Sequence, residues 1–236
     1  SVTVTNLASI TGAASNLRAS ASITTANSNT SLSPTGLVDG TYRLYTVDAA
    51  GNLSAASTNS VTIDSTAPTV SSIAYGTNDG NLAAGESVTL TVTFSEAVNV
   101  TGTPTIALNS GGSASYTSGS GSNQLTFTYT PAATQSTSDL ATATTSAFSG
   151  TITDAAGNAV VASGFNNVNP TGTLAVDTAA PTATLTAASI PNTSSVTVQS
   201  TETGTAYLVN TSVTVTNLAS ITGAASNLRA SASITT

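Results

Sequence analysis

The chain has no cysteine, histidine, lysine, methionine or tryptophan. Each absence removes a chemistry. Without cysteine there is neither a disulfide nor a thiolate metal site. Without histidine or cysteine, no Ser-His-Asp or Cys-His arrangement can be built. Without lysine there is no amine base, and no Lys–Asn isopeptide cross-link. Aromatic residues are only 4% of the chain, so a glycosidase-like carboxylate pair would lack a sugar platform. An enzyme is therefore not expected. Cationic charge is also scarce: three arginines face ten carboxylates, for a formal charge of -7. That excludes a basic nucleic-acid footprint. No run reaches the ~18 apolar residues of a membrane-spanning helix, and none reads as a signal peptide.

What is present is serine and threonine, 84 of 236 residues, with Ala, Val, Leu and Ile as the apolar supply. That supply suits several thin cores better than one large one. Alternation such as "SVTLTVTF" (87–94) reads as strand, and no helical period persists over 12 residues. An all-β chain is expected.

Its ends are the same. "SVTVTNLASITGAASNLRASASITT" occupies 1–25 and again 212–236, an offset of 211 residues. Repeats of fixed period signal tandem arrays. Two near copies, "IDSTAPTV" (63–70) and "VDTAAPTA" (176–183), lie 113 residues apart and place a proline where a strand ladder must stop. Each follows an Asp-Ala-Ala-Gly-Asn turn, at 48–52 and 154–158. The expected units are 66–178, complete, and a second unit split in two. Residues 1–65 hold the end of that second unit, and 179–236 hold the beginning of its next copy. In the complete unit, strands are expected near 69–75, 87–94, 104–109, 113–117, 124–130, 147–153, 159–162 and 172–177. Both unit lengths suit a β-sandwich. The split unit would be completed by a neighbouring copy, either continuous polypeptide or a separate chain.

"APTVSSIAYG" (67–76), "GESVTLTVTFSEAVNVTGTPTIAL" (85–108) and "GTITDAAGNAV" (150–160) resemble bacterial Ig-like repeats of giant secreted adhesins and biofilm surface proteins. "LVDGTYRLYTVDAAGNLSAAS" (37–57) resembles the closing strands of a related Ig-like class. The resemblance implies tandem Ig-like β-sandwiches in an elongated array, at the bacterial cell surface or outside the cell. It implies an extender or filament segment with head-to-tail neighbours, serving adhesion or biofilm formation, and Ca²⁺ at domain junctions. Any cell-surface or glycan target would lie outside this segment.

The carboxylates are the candidate site residues. Glu96, Asp139, Asp154 and Asp177 fall near strand ends and loops of the complete unit. Glu202, Asp39, Asp48 and Asp64 take comparable places in the split unit. Ca²⁺ takes six to eight oxygens, and three acids with carbonyls at one pole supply them. The competing reading is that aspartates in "DAAGN" and "VDG" only make turns, by bonding nearby amides. Asp79 and Glu86, in "NDGNLAAGE", read as hairpin-turn residues. A carbohydrate-binding module is the alternative function. It requires Tyr42, Tyr45, Tyr75, Tyr116 or Phe165 on one exposed face, whereas core packing is the other use for those rings.

Overall fold

The computed structural model describes residues 3–186 and 188–235. The chain is all-β in character, with thirteen strands against two helices of five residues each among the described residues. It divides into two compact units, Ser1–Thr178 and Ala179–Thr236.

The first unit begins with helix α1 (Leu7–Thr11). Asn6 caps it, accepting a hydrogen bond from Ser9 N, while Ser9 Oγ accepts from Asn6 N. This reciprocal pair satisfies two of the helix-end donors from within the segment itself. Strands β1 (Gly40–Arg43) and β2 (Ser60–Ile63) then form a two-stranded antiparallel sheet.

The five-stranded sheet follows. It contains β3 (Val70–Tyr75), β5 (Val88–Ala107), β6 (Ser113–Ser118), β7 (Ser122–Tyr129) and β8 (Phe148–Thr153), with the two-residue β4 (Asn81–Leu82) pairing in parallel with β9 (Ala175–Val176). The 20-residue β5 organises everything. Its first half pairs with β3 and β7, and its second half with β6 and β8. The expected separate strands at 87–94 and 104–109 are one strand here. Between them the ladder shifts register instead of turning, across Thr93/Val98 on the β7 side and Thr101/Thr105 on the β8 side. Bulges bend a strand without ending it.

Alternation in β5 does what period 2 requires. Val88, Leu90, Val92 and Phe94 are all buried. They meet Leu125, Phe127 and Tyr129 of β7, with Ile152, Leu140, Leu174 and Phe165 in the same core. Every buried residue among those described lies between Pro68 and Val176. The three buried polar side chains among the described residues are bonded: Ser110 Oγ to Tyr129 Oη, Thr142 to the backbone of Val168, and Asp154 as described below. The expected strand at 159–162 is absent. Thr153 and Ala159 make a single bridge, Val161 N bonds Pro68 O, and a 3-10 turn follows at Ala162–Phe165.

The second unit holds β10 (Ala183–Leu185) paired with β11 (Val198–Ser200), and β12 (Gly204–Val209) paired with β13 (Arg229–Ile234). Helix α2 (Leu218–Thr222) repeats α1 with the same cap, φ -161 and ψ 177 at both Asn6 and Asn217. None of this unit's described residues is buried. Among the described residues, eleven of the twelve exposed large apolar side chains belong to 1–65 or 179–236, and only Val161 lies in between.

Candidate functional site

One carboxylate cluster stands out among the described residues. Asp64, Glu96 and Asp154 each offer an oxygen, and these atoms lie within 4.8 Å of one another. Three separate elements bring them together. Asp64 follows the last residue of β2. Glu96 sits in the register shift of β5. Asp154 follows β8, whose Thr153 pairs with Asn99 of β5.

Local bonding fixes two of the three. Asp154 closes the Asp-Ala-Ala-Gly-Asn loop: Oδ1 accepts from Gly157 N at 2.7 Å and Asn158 N at 2.8 Å, and Oδ2 from Asn158 Nδ2 at 2.7 Å. It is only 3% exposed. The same Asn158 amide donates to Asp64 O at 3.0 Å, which ties the linker backbone to the loop. Asp64 Oδ1 accepts from Thr66 N at 3.0 Å. A carboxylate has about four lone-pair sites, so Asp154 keeps capacity for another partner.

The electrostatics divide the cluster. The Asn158 side chain, with the Asn158 and Gly157 amides, holds the Asp154 carboxyl below its ordinary value. Burial pushes Glu96 above its ordinary value, reinforced by the charges of Asp154 and then Asp64. Three acids converge, and Glu96 bears the repulsion. Residues 66–178 contain no lysine or arginine to relieve it. A divalent cation is the chemistry such oxygens suit.

The grouping differs from the two expected sets of four. Glu96 and Asp154 meet, but their third member is Asp64, assigned from sequence to the other set. The linker lies against the β5 bend and the 154–158 loop, which no spacing discloses. Asp139 is outside the cluster: it accepts from Asn169 Nδ2 at 2.9 Å and Leu174 N at 3.2 Å. Asp177 is also outside it, with its backbone N on Leu82 O at 3.0 Å. Asp39 clamps the linker from the other side, accepting from Ser65 N, Ser65 Oγ and Thr66 Oγ1. The Ser65 hydroxyl first, then that of Thr66, lowers the Asp39 carboxyl below its ordinary value. Asp48 repeats the Asp154 loop, bonded to Ala50 N, Asn52 N and Asn52 Nδ2, and the Asn52 side chain lowers it likewise. Glu202 lies between β11 and β12, its N donating to Ser200 Oγ. Asp79 accepts from Asn81 N, and Glu86 from Ala83 N, as turn residues do. Asn158 is the residue that sequence reasoning passed over. Its signal was present in the loop, where it was read only as half of a turn.

The aromatics gather no platform among the described residues. Phe165 is fully buried, stacked on Phe148 at 4.5 Å, and Tyr75 and Tyr116 pack against the core. Tyr75 Oη donates to Leu140 O, and burial, with the Asp139 charge, pushes its phenol up to about 12. Tyr42 and Tyr45 are half-buried.

No family model, curated protein or solved structure matches the chain. No helix among the described residues is long and apolar enough to cross a membrane.

Proposed function

We propose that the chain is a structural extender repeat of an extracellular bacterial adhesin-like protein, built of tandem Ig-like sandwiches and stiffened by Ca²⁺. Its work is mechanical. It gives length, and it limits bending where one unit passes into the next. The observation that carries this reading is the position of Asp64. This linker residue shares a cluster within 4.8 Å with Glu96 and Asp154 of the segment that follows. A cation on those oxygens joins the linker to the domain and removes their mutual repulsion. The repeating element is the 211-residue period, residues 66–178 together with the split unit, and neighbouring copies follow head-to-tail. The resemblance of 67–76, 85–108 and 150–160 to adhesin repeats supports the location outside the cell. Among the described residues no exposed aromatic face forms, which weighs against the carbohydrate-binding alternative.

The test is thermal melting with calcium and with chelator. An extracellular-type site has Kd on the order of 10⁻⁴ M. Calcium at about one hundred times Kd then adds about 2.7 kcal/mol by mass action. Melting should rise by several degrees. In Glu96→Gln the rise should vanish, while the chelated variant should melt no lower than the chelated parent. Equal melting of the parent in calcium and in chelator defeats the proposal.

A further inference from the structure

Among the described residues, strand β12 has a partner on one side only. It pairs with β13 in a two-stranded sheet, and Leu208 on it is 46% exposed. The hairpin that starts at β1 is in the same condition. There β1 pairs with β2 alone, and Leu44 just beyond it is 54% exposed. Unpaired edges beside uncovered apolar side chains are templates for another strand.

The duplicated sequence tells which strand. In its N-terminal copy, the carbonyl of Asn16 accepts from Val38 N at 2.9 Å and from Tyr42 Oη at 3.5 Å. In its C-terminal copy, the carbonyl of Leu228 accepts from Asn210 N at 2.8 Å. Asn16 corresponds to Asn227, and Leu17 to Leu228. The same 25 residues thus bond the chain that follows them through one carbonyl and the chain that precedes them through the next. The two bonds use different atoms and do not compete. Each copy shows half of what the segment can hold.

We infer that the 179–236 unit is completed by residues 26–65 of a second copy of this chain, whose strand β1 adds to the free edge of β12. The apolar side chains of that hairpin, Leu44 and Val61 among them, then cover Leu185 and Leu208. The 25-residue segment becomes the shared centre of one unit of 98 residues, a length sufficient for an independent core. This rests on the extender reading only in taking the neighbour to be another copy, and no ion enters it.

The experiment extends the full chain after Thr236 with a second copy of residues 26–65. Hydrogen exchange is followed in chelator. Two controls run beside it: the 236-residue chain, and an extension with the same residues in scrambled order. In the native-order chain, the amides of 204–209 should gain about 100-fold protection, reflecting a local stability they lack at an open edge. No gain, or an equal gain with the scrambled extension, overturns the proposal. Because every reading is taken in chelator, failure of the calcium response leaves this result untouched. Failure here leaves the melting result untouched in turn.

Discussion

Residues 18–23 and 229–234 share the sequence Arg-Ala-Ser-Ala-Ser-Ile and differ in structure. The C-terminal copy is strand β13, paired residue by residue with β12. The N-terminal copy forms no strand, and its Ile23 is 58% exposed while Ile234 is half-buried. The helices just before them do not differ, down to the cap angles. The helix depends on bonds three and four residues apart, which both copies carry. The strand depends on a neighbour, which only one copy has. Strand propensity is mostly the fit of a residue to its partners. The same contrast recurs on a larger scale. In residues 66–178, β5 has neighbours along its length and a filled core. Residues 1–65 and 179–236 carry similar alternation, and none of their described residues is buried.

The largest way to break this contrast is to empty the filled side. Phe127→Ala removes a fully buried ring from the core and should cost about 3–5 kcal/mol in urea unfolding. Leu208→Ala, at an open edge, should change stability by under about 0.5 kcal/mol. A similar loss at both sites would mean the flanks are better packed than their exposure indicates. Next in size is a proline at one position of the duplicate. Ala232→Pro, opposite Ala206 in the ladder, should cost about 2 kcal/mol of local stability, read as exchange of the 204–209 amides. Ala21→Pro, its counterpart, should leave those amides unchanged. Equal effects would show that 18–23 is paired in solution.

The caps sharpen the contrast from the other direction. Asn6→Ala and Asn217→Ala should each cost about 1 kcal/mol of local helix stability, by equal amounts, because both caps are local. Amide exchange within 7–11 and 218–222 measures this. Unequal costs would show that context reaches the helices too.

The smallest effect concerns pH. The Glu96 carboxyl lies above its ordinary value of 4.5, so its ionisation disfavours the folded state. Without calcium, melting should rise as pH falls through the folded Glu96 pKa, with the gain complete near 4.5. Asp39, Asp48 and Asp154 lie below their ordinary value of 3.8, so their stabilisation is lost only as pH falls further, through their folded pKa values. Glu96→Gln should abolish the rise and keep the acid loss.

The strands were legible where alternation is strict. "SVTLTVTF" and the 124–130 run appear in β5 and β7, with alternate residues buried. The middle of β5 was not legible, because Gly102 and Pro104 are turn residues in most settings. Here Gly102 adopts φ 72 inside a register shift and the strand continues. The parallel pairing of β4 with β9 involves two residues each and leaves no periodic trace. At the site, Glu96 and Asp154 were legible as acids at strand ends. Asp64 was legible as one too, but in the other set, and its place beside them comes from how the linker meets the β5 bend. Asp48 and Asp154 both accept from the backbone N and Nδ2 of their loop asparagine, so the loop motif alone does not mark which aspartate meets other acids.

The two copies of the 25-residue segment also bear on the order of events during synthesis. Their helices and turns rest on contacts within a few residues, which form on the microsecond scale. Both copies are therefore ready as soon as they leave the ribosome, and either offers residues 26–65 the same carbonyl. At 5–20 residues per second, the second copy appears about 10–40 s after the first. That leaves residues 26–65 many seconds in which the copy beside them is the only one to meet. The tempo of translation thus sorts two binding surfaces that are chemically indistinguishable. Refolding from denaturant removes that delay and lets the two compete.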